Sequence, residues 1–191
     1  MRIIAQLPPG LSNDEIAEIV AEKIISIGFS CKMCGECCLS HEGRNMVIIS
    51  PQEIRKIMNE TSLEWDQIAE PYPEFIQENG ASFTFSWILK RNRDCCIFYR
   101  NNKCAIYNSR TSICRTYPFM ITEDALLVSE CSGIGSEITS FEARQLAYDL
   151  VERRNKEMTE EEMIERVYDE KKLETGYHYV IDSEGVKNID R

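Results

Sequence analysis

The chain is poor in histidine, in positive charge and in long apolar runs, and each shortage removes a class of function. Only two of its 191 residues are histidine, His41 and His178. With no histidine near a candidate acid, a cysteine–histidine nucleophile has nothing to be built from. His41 stands in a polar loop three residues after Cys38 and reads as solvated; His178 lies between two tyrosines and reads as packing. Lysine and arginine number 22 against 32 acids, a net charge of −10, which argues against general nucleic-acid binding. No stretch approaches the ~20 apolar residues needed to span a bilayer, so no membrane association is expected. Residues 1–10 carry one arginine and no apolar core, so no secretory signal is read there and a cytoplasmic location is the expectation. Also missing are a G-x-G-x-x-G turn, a phosphate-binding loop and the C-x3-C-x2-C run of radical S-adenosylmethionine enzymes.

Cysteine, by contrast, is abundant. Of nine cysteines, four fall within eight residues: Cys31, Cys34, Cys37 and Cys38. A thiol packs as a small hydrophobe and has no reason to cluster so tightly, whereas metal binding supplies one. In a reducing compartment such cysteines are ligands rather than disulfides, and the odd count points the same way. The C-x2-C-x2-C spacing of Cys31, Cys34 and Cys37 is that of loops holding three corners of a [4Fe–4S] cluster, with a fourth thiolate from elsewhere. Cys38 is expected to point away from Cys37, toward a second site or a capping position. Downstream, Cys96, Cys104, Cys114 and Cys131 are irregularly spaced, unlike the paired C-x2-C units of a zinc ribbon. Iron is therefore favoured, with Zn²⁺ as the alternative. Leaving Cys95 aside, eight thiols suffice for two four-thiolate sites; equally, one site could use four and leave the rest packed as small residues.

Charge is unevenly distributed. From Lys90 to Arg115 there are seven basic residues and one acid, Asp94, a net of +6 that leaves −16 on the remainder. That segment holds four cysteines. It is read as a solvated basic face, as cations stabilising an anionic thiolate centre, or as a dock for an anionic ligand or acidic protein partner.

Periodicity and punctuation give an α+β chain: a core of short β-hairpins and loops around the cysteines, packed with helices and followed by a C-terminal helical extension. A helix is expected over 12–27, capped at Ser12 or Asn13 and stopped by Gly28. A short strand at 46–49 precedes a proline-started capping box at Ser50 and a helix to 58. Another helix starts at Thr61 or Ser62. Strand character follows over 83–89, with hairpins around Asn101-Asn102, Thr122–Asp124 and Asp182–Gly185. Two charged helices are expected over 136–174, one capped by Ser140 and one opened by a box at Thr159. Residues 1–135 would form the cysteine-cluster domain, with its N-terminal helix, and 136–191 an acidic extension packed on it.

The motif pieces Cys31-x2-Cys34-Gly35-x-Cys37-Cys38, Cys96-Ile97-Phe98, Cys104-Ala105-Ile106-Tyr107, Arg110-x3-Cys114-Arg115-Thr116-Tyr117-Pro118-Phe119 and Cys131 occur in order. Across roughly 28–133 they resemble the CxxCxxCC cysteine-cluster family, a zinc- or iron-chelating domain that includes the flagellin lysine N-methylases. The resemblance implies a metal centre ligated by Cys31, Cys34, Cys37, Cys38, Cys96, Cys104, Cys114 and Cys131, with Arg110 and Arg115 beside the bound group. It implies no single activity: electron transfer, maturation or modification of a partner protein, a methylase-like enzyme and a structural zinc module all remain open. Thr111 departs from the family, which commonly carries proline after this arginine, and a softer turn into Cys114 is expected from the loss of the ring.

Overall fold

The computed structural model describes residues 1–39 and 46–190. His41 lies outside the described residues. In chain order the elements are β1 (Arg2–Gln6), α1 (Asn13–Ile27), β2 (Ile48–Ile49), α2 (Pro51–Thr61), α3 (Trp65–Ile68), β3 (Ala69–Pro71), β4 (Ile76–Glu78), β5 (Ala81–Phe85), β6 (Trp87–Leu89), β7 (Arg91–Asn92) and β8 (Cys95–Cys96). There follow β9 (Tyr99–Arg100), β10 (Lys103–Cys104), α4 (Ser112–Thr116), β11 (Phe119–Ile121), β12 (Ala125–Val128), α5 (Ser140–Glu170), β13 (His178–Asp182) and β14 (Gly185–Asn188). The α+β class is as expected from the sequence. No helix among the described residues is long and apolar enough to cross a membrane.

Three apolar clusters hold these pieces. In the first, α1 and α5 pack on a small antiparallel sheet, β1–β12–β11. Ala17 and Ala21 of α1, with Ala143 and Ala147 of α5, are all buried, and small side chains allow the helix axes to approach closely. Ser12 and Glu15 form the expected capping box of α1, and Gly28 ends it. A second cluster joins α2 and α3 to β3 and β6 and to Phe98. The third lies under the far end of α5, where β13 runs parallel to β5.

Several expectations change. The strand expected over 83–89 is broken at Ser86, whose φ of 67° turns the chain between two sheets, β14–β13–β5–β4 and β2–β6–β3. The first helix after Ser50 runs on to Thr61, and the next is capped by Glu64 rather than by Thr61 or Ser62. The two helices expected after 136 are one, the 31-residue α5, capped by a Thr139–Glu142 box. Thr159 does not open a helix because its hydroxyl donates to the carbonyl of Asn155 at 3.0 Å, the i−4 bond by which a mid-helix threonine satisfies itself.

Strand β6 leads directly into the basic segment and is pinned through Trp87. Its indole N–H donates to the buried carboxylate of Asp182 at 2.7 Å, which also accepts from Lys187 Nζ at 2.6 Å and from the Glu184 backbone N–H at 2.9 Å. Asp182→Ala leaves a buried donor unpaired and is expected to cost about 2–4 kcal/mol in urea denaturation. A change within about 0.5 kcal/mol would remove Asp182 from this role.

Candidate metal centre

The C-x2-C-x2-C loop is held at both ends by the chain that carries the distant cysteines. At its start, Phe29 bridges Ile134, Ser30 N–H donates to Gly133 O at 3.2 Å and Gly135 N–H donates to Gly28 O at 3.0 Å. This seam sets Cys131 against the loop. There Gly133 N–H donates to Cys131 Sγ at 3.4 Å, and Cys34 Sγ lies 3.5 Å from Ser132 Oγ. At the loop's end Leu39 bridges Cys95, which sets Cys96 beside Cys38.

Between the two ends the backbone makes a left-handed step at Gly35 (φ 76°) into a single 3₁₀ turn, Glu36–Cys38. A Cβ at Gly35 would stand 2.2 Å from Tyr99 Cε2, so the ring of Tyr99 requires glycine there. Cys37 and Cys38, expected to point apart, both open onto the same chamber. A 3₁₀ turn separates neighbours by about 120° rather than the 180° of a strand, and both thiols reach one chamber.

The downstream pair arrives on short supports. Asn101 and Asn102, with φ of 51° and 60°, make the expected tight turn of the β9–β10 hairpin, but its ladder is only two pairs long. Tight asparagine turns of this kind match the twist of paired strands. Thr111 corrects the expectation of a soft turn. It is buried, and its hydroxyl accepts from Cys114 N–H at 3.3 Å, capping α4 in place of a proline ring.

All eight cysteines therefore line one chamber of about 70 Å³, together with Arg91 and Arg110. That is several times the ~10–15 Å³ that a single water needs. Cys31 and Cys34 are exposed at its mouth, Cys38 is buried at its floor and the others are half-buried. Cys95 does not line it, and its thiol donates instead to Asn92 O at 3.4 Å. His178 does not line it either; its ring meets Phe75 and Asp190.

Electrostatics tie the thiols into a network. The single S–H of Cys38 is shared between Cys104 and Cys37, which pushes its own pKa well up. Cys104 is drawn down to about 6 by accepting from Cys38, with the Ile106 N–H and Arg110 helping against burial. Cys37 falls to about 7, first through its bond from Cys38 and then, against burial, through the charge of Arg110. Burial pushes Cys96 up to about 11 and Cys114 up to about 12. Burial also raises Cys131, and the nearby sulfurs of Cys34, Cys31 and Cys37 add to the rise. Thiolate formation thus falls on sulfurs that already have a proton donor and a guanidinium beside them.

Of the seven basic residues, two turn toward the sulfurs. Arg110 lies flat on Tyr107, 3.6 Å from the ring centroid, and donates to Tyr107 O at 2.8 Å and Cys114 O at 3.5 Å. Arg91 donates to Asp94 O at 2.9 Å and Cys38 O at 3.5 Å. Arg115, also expected beside the bound group, stands outside the chamber lining. It is exposed and donates to Arg110 O at 3.3 Å.

Sequence reasoning missed Ser30, Ser132 and Gly133, which make the seam, and Tyr107, whose hydroxyl bonds Cys31. The pair of glycines soon after Cys131 was the available signal.

Among the described residues no group of three Cys, His, Asp or Glu side chains is already drawn into a metal-holding arrangement. The thiols share a chamber and hydrogen bonds rather than a coordination sphere. The donor set nevertheless fits a thiophilic metal. The lining has eight thiols, and among the described residues its carboxylates are Glu36 and Glu130; such a set selects zinc or iron–sulfur centres over hard cations. A Cβ at Gly133 would stand 2.4 Å from Ser30 O. Gly133→Ala is therefore expected to open the seam, cost about 1–3 kcal/mol of stability and weaken zinc binding about tenfold or more in a chelator competition titration. Unchanged affinity would mean that the seam does not position Cys131.

No solved structure matches this chain. The family model that matches residues 30–145 is CxxCxxCC. Its span contains every cysteine of the chamber, so the sulfur-lined site and the family description coincide. The protein belongs to the CxxCxxCC family, described as a "putative zinc- or iron-chelating domain".

Proposed function

We propose that the chain carries an iron–sulfur centre of the [4Fe–4S] class on its outer loop, held by Cys31, Cys34, Cys37 and Cys131, and that it works in electron transfer to a protein partner or in that partner's maturation. The observation that carries this reading is the seam of residues 28–30 with 133–135, which brings one distant cysteine to a C-x2-C-x2-C loop. Three close thiolates completed by a remote fourth is the usual ligation of such clusters. When bound, a cluster of this class supplies a one-electron couple. The chain's own residues supply the rest. Arg110 offsets thiolate charge from inside the chamber, Tyr107 and Tyr117 wall off its side, and the exposed Cys31 and Cys34 leave one edge open toward a partner. The exposed Arg93, Arg100 and Lys103 give that partner a basic surface, which suits an acidic docking face.

Anaerobic purification tests the reading. The protein is expected to be brown, with iron and acid-labile sulfide in equal amounts, both lost in C34S and retained in C95S. Colourless protein holding only zinc would replace the cluster with a structural zinc module.

A second reading, a metal-dependent protein-modifying enzyme akin to a lysine N-methyltransferase, draws on a polar cleft of about 240 Å³ that shares Arg110 with the chamber and adds Lys56, Arg115 and Arg153. Calorimetric titration with S-adenosylmethionine separates the two. Saturable binding favours the enzyme, and no heat of binding leaves the electron carrier.

A further inference from the structure

We infer that the polar cleft beside the chamber binds the phosphate group of a small phosphate monoester, held by Lys56 of α2, Arg115 of α4 and Arg153 of α5. The inference does not depend on what the chamber holds, since none of these three side chains lines it.

Charge is the first argument. The chain as a whole carries −10, yet the lining of this cleft sets five cations, Lys56, Arg110, Arg115, Arg153 and Lys156, against three acids, Glu53, Asp149 and Glu152. The acids are occupied. Glu53 accepts from the Ser112 backbone N–H at 2.7 Å, Asp149 accepts from the Gln145 amide at 3.2 Å, and Glu152 pairs with Lys156. Arg110 is engaged as well, lying on Tyr107 and donating to two carbonyls. What is left open is positive. Among the described residues the exposed Lys56 has no hydrogen-bond or ion partner, and the exposed Arg115 donates only to Arg110 O.

Arg153 is the built part of the site. It is only 8% exposed, and it donates from Nε to Glu157 at 2.7 Å and from Nη1 to Thr116 Oγ1 at 3.0 Å. Those two bonds fix the plane of the guanidinium. Its Nη2 has no partner among the described residues and is not sealed from solvent, and the residue lines this cleft. A guanidinium oriented in advance loses little freedom when it takes up an oxyanion.

The number and placement of the cations choose the anion. A carboxylate has one charge and two oxygens, which a single guanidinium fork satisfies. A phosphate monoester carries about −1.5 to −2 at pH 7 and three acceptor oxygens, which matches cations arriving from three separate helices. Ser109 and Ser112 on the same lining offer hydroxyls to the alcohol portion. The cleft, at about 240 Å³, is far larger than the ~10–15 Å³ that one water needs. The adjoining groove carries Glu157, Glu160 and Glu184, so a polyanion such as a nucleic acid would be repelled where a single phosphate is not.

Calorimetric titration of the purified wild-type chain with glycerol 2-phosphate tests the site. One saturable site per chain is expected, with affinity about tenfold or more weaker in K56Q and in R115Q; both side chains are exposed, so the fold survives their loss. R166Q removes another exposed cation of α5, outside the cleft, and is expected to bind as the wild type does. Acetate is expected to give no saturable heat. Absence of saturable heat with glycerol 2-phosphate, equal weakening in R166Q, or acetate bound as tightly as the monoester overturns the phosphate site. Saturable binding of S-adenosylmethionine without binding of the monoester overturns it in favour of the enzyme reading.

Discussion

Crowding sulfur is the constraint around which this molecule is built. Eight thiols face one small chamber, and their ionised forms repel one another in a partly desolvated space. The proton of Cys38, shared between Cys104 and Cys37, and the guanidinium of Arg110 beside Cys37 and Cys104 offset that repulsion. A soft divalent metal or cluster would replace that proton and lift the repulsion, so binding free energy becomes folding free energy for the loops around it.

The rest of the fold serves to hold those loops. Helices α1 and α5 and the β1–β12–β11 sheet form an apolar block that owes nothing to metal, and from its edge emerge both Gly28 and the 133–135 segment. The second block, around α2, α3 and β6, presents Leu89, Arg91 and Phe98 to the other side of the chamber. The site lies between two cores, each of which contributes cysteines from short, weakly laddered elements. Rigid blocks with loosely held ligand strands allow a metal to draw its shell together at modest strain.

That eight cysteines share one chamber was readable because cysteine clustering and motif order are local signals. So were the Ser12 and Ser50 capping boxes, the Asn101-Asn102 turn and the helical spacing of Ile16, Val20 and Ile24. What was unreadable depends on partners far along the chain. β1 becomes a strand only by pairing with β12, and β13 lies parallel to β5 across nearly a hundred residues. The break at Ser86 was hidden inside a run of good strand formers, because nothing local shows which sheet each half will join. Thr159 carried the letters of a capping box, but an i−4 hydrogen bond competes with the cap and the helix ran on. That Cys37 and Cys38 open onto one chamber was hidden for a geometric reason: the left-handed step at Gly35 was readable as a turn, but not the 3₁₀ twist after it.

The central claim is that these sulfurs are ligands to metal rather than packed thiols. X-ray absorption of the anaerobically purified protein at the iron and zinc edges tests it most directly. The account predicts a sulfur-only shell at the edge of whichever metal is held, with a short iron–iron vector for a cluster or Zn–S near ~2.3 Å for zinc. A nitrogen- or oxygen-dominated shell at either edge, or protein that holds neither metal, would contradict it.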